Sequence, residues 1–500
     1  MAAVPFMARV LWRVRAVGIG LTLSAVFTQL GQAQTTLPAY SDIFPGSSNL
    51  TGLPGQNLAQ QKMGQSINNF CPTVASIAMP TPGQNALAGL CGAMIGNALQ
   101  VQGQPNPLGL SSFGLDANGL NGALSQLNGG AELLVPTSQA SVVQTTQTSR
   151  QTGAIEKRLQ ELRNWPNGTV VAGVEPPRAG QVAALGTPEP VGQTLLAQNQ
   201  PLEFSYSTGP FGVFVSGLGQ VGSRDQTTSE NGYSFNNAGF IAGADYRFTP
   251  QLIAGFAFGY TQSNTNFDTS ALSASGQSLN GNLLQGNLYA TYSVTDALYV
   301  NGIGFIGGGN NNSQRHIVLP NATNLVGDGI ATGSFGSRIA GFTFAGGYDL
   351  PFGPLVVTPI ARFLYQHTGV DAFSEEGALG ADLQYGSSSV NTVLTFLGAD
   401  AQYTLPTWFG VLFPIARFHW AHQYNPGNTA VSVAYTNDPT SVLSSFILPG
   451  TPTSRNYFDL GVGVSLPFSS NGSAYINYDV ILGINSTTYN SFTAGVRFTF

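Results

Sequence analysis

Four histidines, two cysteines and two lysines are the residues of this 500-residue chain best suited to polar chemistry, and their positions restrict what that chemistry can be. His316, His367, His419 and His422 all fall in the C-terminal part, so nothing before residue 316 can supply a catalytic or metal-binding imidazole. A Ser–His–acid hydrolase or a His-ligated metal centre within the N-terminal region is therefore excluded. Lys62 leaves a Ser–Lys pair formally open, but no spacing around it supports one. His316 and His367 stand at strand ends next to polar loops, and Glu375 and Glu376 follow His367 closely. A rim-located catalytic site would use such groups, but polar loop residues in water are the better account of them. The expectation is a protein that is not an enzyme, with no catalytic, cofactor-binding or metal-binding residue and no cofactor. Cys71 and Cys91 form an even pair, which in an exported chain reads as a disulfide worth ~3 kcal/mol. Two thiolates with no neighbouring His make a poor metal site.

A second constellation is electrostatic. Asp245, Arg247, Arg362, Asp400, Arg417, Asp459, Asp479 and Arg497 all fall on the small or polar side of alternating segments, four of each sign. On a lipid-facing side each Arg would cost ~2–4 kcal/mol at the bilayer midplane, so these residues are expected to line a polar lumen. There they either pair with one another and with a charged helix at 148–163, or confer ion selectivity. The balance of signs favours pairing.

Only strands can hold those charges on one face. From about Gly209 to Phe500 apolar and small or polar residues alternate with period two. In the last segment Phe492, Ala494, Val496, Phe498 and Phe500 share one face, with Ser491, Thr493, Gly495, Arg497 and Thr499 on the other. A soluble sheet would also alternate, but it would put large residues in its core and Lys or Glu outside. Here no Lys occurs after Lys157, and only 8% of the chain is charged, so the large aromatic face is the one turned to lipid. Twelve strands are expected, centred near 215, 242, 257, 287, 302, 343, 362, 397, 416, 461, 480 and 495. Short turns follow the even-numbered strands, and polar loops at 222–233, 262–278, 308–334, 368–387 and 423–453 follow most of the odd ones. That alternation and the even count mark an outer-membrane β-barrel, with short turns in the periplasm and long loops outside. In hydrocarbon an open edge would leave backbone groups unbonded, so the sheet must close. The fold class is thus all-β transmembrane: a 12-stranded antiparallel barrel over 209–500, preceded by a small, mainly α-helical N-terminal region.

The preceding chain divides into four. Residues 1–33 read as a signal peptide: Arg9, Arg13 and Arg15, a twelve-residue apolar core from Ala16 to Phe27, then Gly31-Gln32-Ala33. That core is shorter than the roughly 20 residues a spanning helix needs. Residues 34–136 are rich in Gln, Asn, Gly and Ala, with helical spacing at Leu58, Met63, Ile67 and Phe70 and at Leu87, Leu90, Met94, Ala98 and Val101. Pro72, Pro80, Pro82, Pro105 and Pro107 punctuate them, and the disulfide is expected to join two helices. Residues 137–165 form a helix with one narrow apolar stripe, Ile155, Leu159 and Leu162, amid a dense charge cluster. Such a helix suits either a solvated surface or the polar pore of the barrel. Residues 166–208 make a Pro- and Gly-rich linker.

Three stretches carry a family likeness. GFIAGADYRF (239–248), VVTPIARFLYQHTGVDAFSEEGA (356–378) and SRNYFDLGVGVS (454–465) together resemble the translocator domain of bacterial autotransporters, the type V secretion proteins. The ending AGVRFTF with its terminal Phe500 looks like the aromatic signal recognised by the barrel-assembly machinery. The resemblance covers roughly the last 290 residues. It implies a twelve-stranded barrel with a helix in its pore and an N-terminal passenger carried to the cell surface. Passengers of that family are commonly long repeat-built β-helices, whereas no repeat occurs between 34 and 136.

The expected location is the bacterial outer membrane, with the N-terminal region at the cell surface or in the periplasm. Expected partners are outer-membrane lipid, the barrel-assembly machinery and an unidentified surface ligand. A net charge of −6 without a basic stripe argues against nucleic acid. The leading functional expectation is surface display of the N-terminal region for adhesion or interaction. The alternative is a pore-forming or structural protein whose N-terminal region stays in the periplasm or plugs the lumen.

Overall fold

A computed structural model describes residues 50–128, 148, 151–159, 210–226, 232–268, 276–319, 328–378, 380–425, 430–440, 444–449, 454–469 and 472–499. The expected signal peptide, the linker 166–208 and Phe500 lie outside the described residues.

Twelve long strands form the wall: β1 (Phe211–Arg224), β2 (Tyr233–Arg247), β3 (Leu252–Phe267), β4 (Ser278–Ser293), β5 (Leu298–Val318), β6 (Asp328–Tyr348), β7 (Leu355–Val370), β8 (Ser388–Tyr403), β9 (Gly410–Gln423), β10 (Asn456–Ser469), β11 (Gly472–Leu482) and β12 (Thr487–Thr499). Each pairs antiparallel with its sequence neighbours. The first and last close the barrel in an unbroken register from Gly212↔Thr499 to Arg224↔Thr487. Closure gives every wall strand a partner on both sides, which is what a sheet in hydrocarbon requires. Among the described residues no helix is long and apolar enough to cross a membrane.

Below the outer rim the wall is apolar outside and polar inside. Phe256, Phe258, Leu288, Ile306, Phe344 and Phe418 are exposed on the outer surface. A belt of exposed aromatics, including Phe248, Tyr292, Phe352 and Trp408, marks the short-turn end, as expected for residues at a lipid–water boundary.

Toward the long-loop end the two faces exchange character. In β2 the large apolar residues move from Phe240 on the outside to Tyr233 and Phe235 on the inside, and Asn236 takes the outer face. In β6 they move from Phe342 and Phe344 outside to Phe335 and Ile339 inside. Polar outside and apolar inside is the pattern of a sheet in water, so this switch locates the upper edge of the lipid zone.

The same switch explains a difference from the expected loops. β5 and β6 run 21 residues each and pair from Leu298↔Tyr348 to Val318↔Asp328, so most of the expected loop 308–334 is ladder. Gly307, Gly308 and Gly309 followed by Asn310–Asn312 erase the apolar period without breaking the backbone pairing. Expected loops 368–387 and 423–453 also contain strands. Phe373–Glu376 adds to β6 beyond the last β6–β7 pair, and Leu383–Tyr385, Ala430–Tyr435 and Phe446–Pro449 continue the sheet in turn. The result is an apolar-lined cup on top of the barrel.

Three helices sit in that cup: α1 (Leu58–Ala75), α2 (Pro82–Val101) and α3 (Ala117–Leu127). Asn57 and Gln60 form a capping box at the start of α1, Thr81 and Gln84 another at α2, and Asp116 caps α3. Pro72 lies inside α1 rather than ending it, since near the C-terminus its missing N–H removes one ladder bond. Leu58, expected on the apolar stripe, is 53% exposed because it occupies the first helical position. Met63, Ile67, Phe70, Leu87 and Met94 share one buried cluster with Phe335, Phe373, Leu383, Tyr385, Val433 and Tyr435 of the cup. The disulfide joins Cys71 of α1 to Cys91 of α2 inside that cluster. Replacing both cysteines by Ser should therefore cost the helical domain about 3 kcal/mol. The check is limited proteolysis of the purified protein, in which the helices become cleavable at lower temperature while the heat-modifiable migration of the barrel is unchanged.

Candidate functional site

The lumen is occupied by a helical segment, α4 (residues 151–159), which descends from mid-barrel toward the short-turn end. Gln151 Nε2 donates to Thr261 Oγ1 of β3 at 3.1 Å, halfway up the wall. Arg158 lies lower, donating from Nε and Nη2 to the two carboxylate oxygens of Asp245 at 2.7 and 2.8 Å. Two glycines make room. A Cβ on Gly259 would stand 2.1 Å from Gln151 Oε1, and one on Gly212 would stand 2.4 Å from Arg158 Nη2.

The helix has two unlike faces, and each meets a matching wall. Ala154, Ile155 and Leu159 pack with Phe214, Leu218, Ile241, Ile253 and Ile303 on the β1–β5 side. Leu162, expected on the same stripe, lies outside the described residues. The charged face reaches the opposite wall. Glu156 accepts from Arg362 Nη1 of β7 at 2.5 Å, and Lys157 Nζ stands 3.5 Å from Asp479 of β11. Asp479 also pairs with Arg417 of β9, and the Arg362 guanidinium lies 3.8 Å over the Phe396 ring.

The residues expected to line the lumen thus fall as follows. Asp245, Arg362 and Asp479 each pair with α4. Asp400 meets His419 at 2.9 Å, and Asp459 faces the same space within electrostatic reach of Arg362. Arg497 is buried, and Arg247 sits at the short-turn end, donating to the Pro250 carbonyl at 3.3 Å. His367 and His422 lie elsewhere, hydrogen bonding to Asn391 and Asn456 on exposed parts of the wall. Among the described residues no cluster of His, Cys, Asp and Glu is placed to hold a metal ion.

The cup holds a further ion pair, on segments expected to be loops. Glu375 was expected to be a solvated loop residue, but it is 1% exposed and paired with Arg315, also 1% exposed. Pairing of Phe373–Glu376 onto β6 sets alternate residues inward, and Glu375 goes in while Glu376 stays out. Arg315 Nε donates to Glu375 Oε1 at 3.1 Å, and the carboxylate also accepts from the Leu383 amide and the Tyr385 hydroxyl. A buried pair costs desolvation that only such full hydrogen bonding offsets.

Arg315 also reaches the helical domain. Its Nη1 donates to the Gln126 carbonyl at 2.8 Å, and the Tyr435 hydroxyl donates to the Leu127 carbonyl at 3.3 Å. These are C-terminal carbonyls of α3 that no intrahelical N–H can satisfy, and a cation there also suits the helix dipole. The barrel therefore caps the helix. Ser66 Oγ of α1 donates to the Ser444 carbonyl at 2.7 Å, and the Phe70 and Tyr435 rings lie 5.0 Å apart. Burial pushes the Tyr435 phenol up, while Arg315 pulls it down and Glu375 adds to the rise. Burial also tends to raise the Asp438 carboxyl in the loop that presents Ser444. Hydrogen bonds from Thr440 and Ser444 outweigh it and hold Asp438 below the usual carboxylate range.

Residues 213–479 match the family profile of the autotransporter β-domain. No curated protein sequence matches the chain. Among solved structures, the translocator domain of the autotransporter NalP from Neisseria meningitidis is similar at 16% identity and a TM-score of 0.46, over 62% of this chain and 94% of that one. The β domain of the Bordetella autotransporter BrkA is similar at 17% identity and 0.41, over 58% and 100%. The transport unit of the autotransporter AIDA-I from Escherichia coli is similar at 14% and 0.40, over 62% and 97%.

Arg158→Ala leaves Asp245 buried without its cation and should cost about 3–5 kcal/mol. The heat-modifiability midpoint of the purified protein should fall, and the double variant Arg158→Ala/Asp245→Ala should recover most of the loss. Additive losses would show that the pair is not coupled.

Proposed function

The chain belongs to the autotransporter β-domain family, and from that premise we propose that its barrel carries its own N-terminal helical domain to the cell surface and keeps it seated in the outer rim. An outer-membrane autotransporter barrel has its short turns in the periplasm, which puts the cup outside. The observation that carries the reading is the capping of α3 by Arg315 and Tyr435. Cup and helices satisfy one another's buried groups, so α1–α3 are matched to the long-loop end. The course of α4 agrees: a chain leaving a domain outside must re-enter downward through the lumen to reach β1 at the short-turn end.

The exposed part of the helical domain serves adhesion or interaction with a surface ligand. Residues 50–128 carry only Lys62 and Asp116 as charges, so a ligand would be held by amide, hydroxyl and apolar contacts. The protein is not an enzyme on this reading, and the barrel-assembly machinery inserts it. An open pore is disfavoured by α4, whose charges are tied to three separate strands.

An epitope placed after Gln34 tests display. On intact cells it should be labelled as strongly as on permeabilised ones, be removed by added protease, and leave no tagged fragment in the medium. Protection until the outer membrane is opened would contradict display. A tagged helical fragment in the medium would contradict retention.

A further inference from the structure

On the outer wall of β2–β6, directly above the apolar belt, side chains of one chemical kind stand in register. Asn236, Asn264, Asn280, Asn312 and Ser334 are direct cross-strand partners in one row over five strands. The row farther from the membrane contains Asn266 and Gln314, and the row nearer to it contains Gln262, Asn282 and Asn310. All of these point outward and are exposed or half-buried. No outward position in the three rows is charged, whereas an ordinary water-facing surface is about a quarter to a third Lys, Arg, Glu and Asp. Among the described residues the exposed arginines are Arg455 and Arg338, and Arg338 stands one row nearer the membrane on β6, paired with Asp371 beside Gly336.

We propose that this face seats uncharged sugar residues of the glycolipid in the surrounding outer leaflet. Its place identifies the occupant. Gln262 follows Tyr260 on the same face of β3, and Asn282 precedes Leu284 on β4, so on these strands the field continues the lipid-facing belt upward. Whatever covers it stands directly on the acyl chains. Its chemistry identifies the class. Amides and hydroxyls both donate and accept, as sugar hydroxyls do, whereas a phosphate or carboxylate would find only Arg338 at the lower edge of the field, already paired with Asp371. The side chains are held in place: Asn264 Nδ2 donates to Asn236 Oδ1 at 3.0 Å, and Ser334 Oγ donates to Asn312 Oδ1 at 2.7 Å. An Asn amide has two donors and two acceptor lone pairs, so one cross-strand bond does not exhaust it. Adjacent strands about 4.8 Å apart arrange these groups as a flat lattice on the scale of a sugar ring.

The inference rests on the outward orientation proposed above, which tag labelling tests in cells. The present experiment is done in detergent and does not depend on it. The melting midpoint of the full-length protein is measured with lipopolysaccharide carrying its core saccharide, with lipid A, and with the free core oligosaccharide. Lipopolysaccharide should raise the midpoint by a few degrees more than lipid A. That difference should be lost in N264D/N280D/N312D and in N264A/N280A/N312A, the alanine set excluding charge repulsion as the cause. Equal shifts from lipid A and lipopolysaccharide, or a difference surviving in both variants, would overturn the proposal. An equal shift from the free oligosaccharide would also overturn it, by making the ligand a soluble glycan.

Discussion

The structure depends first on one constraint: a backbone N–H or C=O in hydrocarbon must find its partner within the protein. The β1–β12 register meets that constraint by removing both edges. Everything inside follows from closure. A closed sheet with an apolar exterior turns its alternate residues into a common lumen, and charges placed there must be met by other charges. The helix α4 supplies Glu156, Lys157 and Arg158, and the wall supplies Arg362, Asp479 and Asp245. Its apolar edge rests on apolar side chains of β1–β5 that face the lumen.

The constraint ends where the lipid ends. Above that level the same strands face water outside and the helical domain inside, and their burial pattern changes hands. Tyr233, Phe235 and Phe335 turn inward, and amides turn outward. A wall with an apolar inner surface would be unstable without a filling. The three short helices provide it, and a domain with two charges and one disulfide could bury little without the wall. Arg315 joins the two, since it pairs with Glu375 of the rim and closes the end of α3. Barrel and helices therefore share one buried cluster and one ion-pair network.

The barrel was legible in the sequence because its lipid-zone signal is strong. Alternation in segments such as 491–500, the lack of Lys after Lys157 and the alternation of short and long connections are all consequences of lipid on one side. The inward charges were legible by the same parity. The cup was not, because its strands carry Asn, Ser and Gly on the outer face and read as loops. A signal was present in the change of parity within one strand, with Tyr233 and Phe235 odd and Phe240 even. The Arg315–Glu375 pair joins residues 60 apart on segments not expected to be strands, so spacing alone could not find it. α3 was missed because its few apolar residues, Leu120, Leu124 and Leu127, are diluted by Gly and Asn.

The central claim is that the helical domain is seated in the cup of the assembled protein. The Ser66 hydroxyl donates to the Ser444 backbone carbonyl across that interface and both residues are buried there, so the double variant Ser66→Cys/Ser444→Cys reports on it. On intact cells and in the purified folded protein the account predicts that neither thiol reacts with an impermeant maleimide, whereas both react once the protein is unfolded. Two thiols that both react with the maleimide in the folded protein would contradict it.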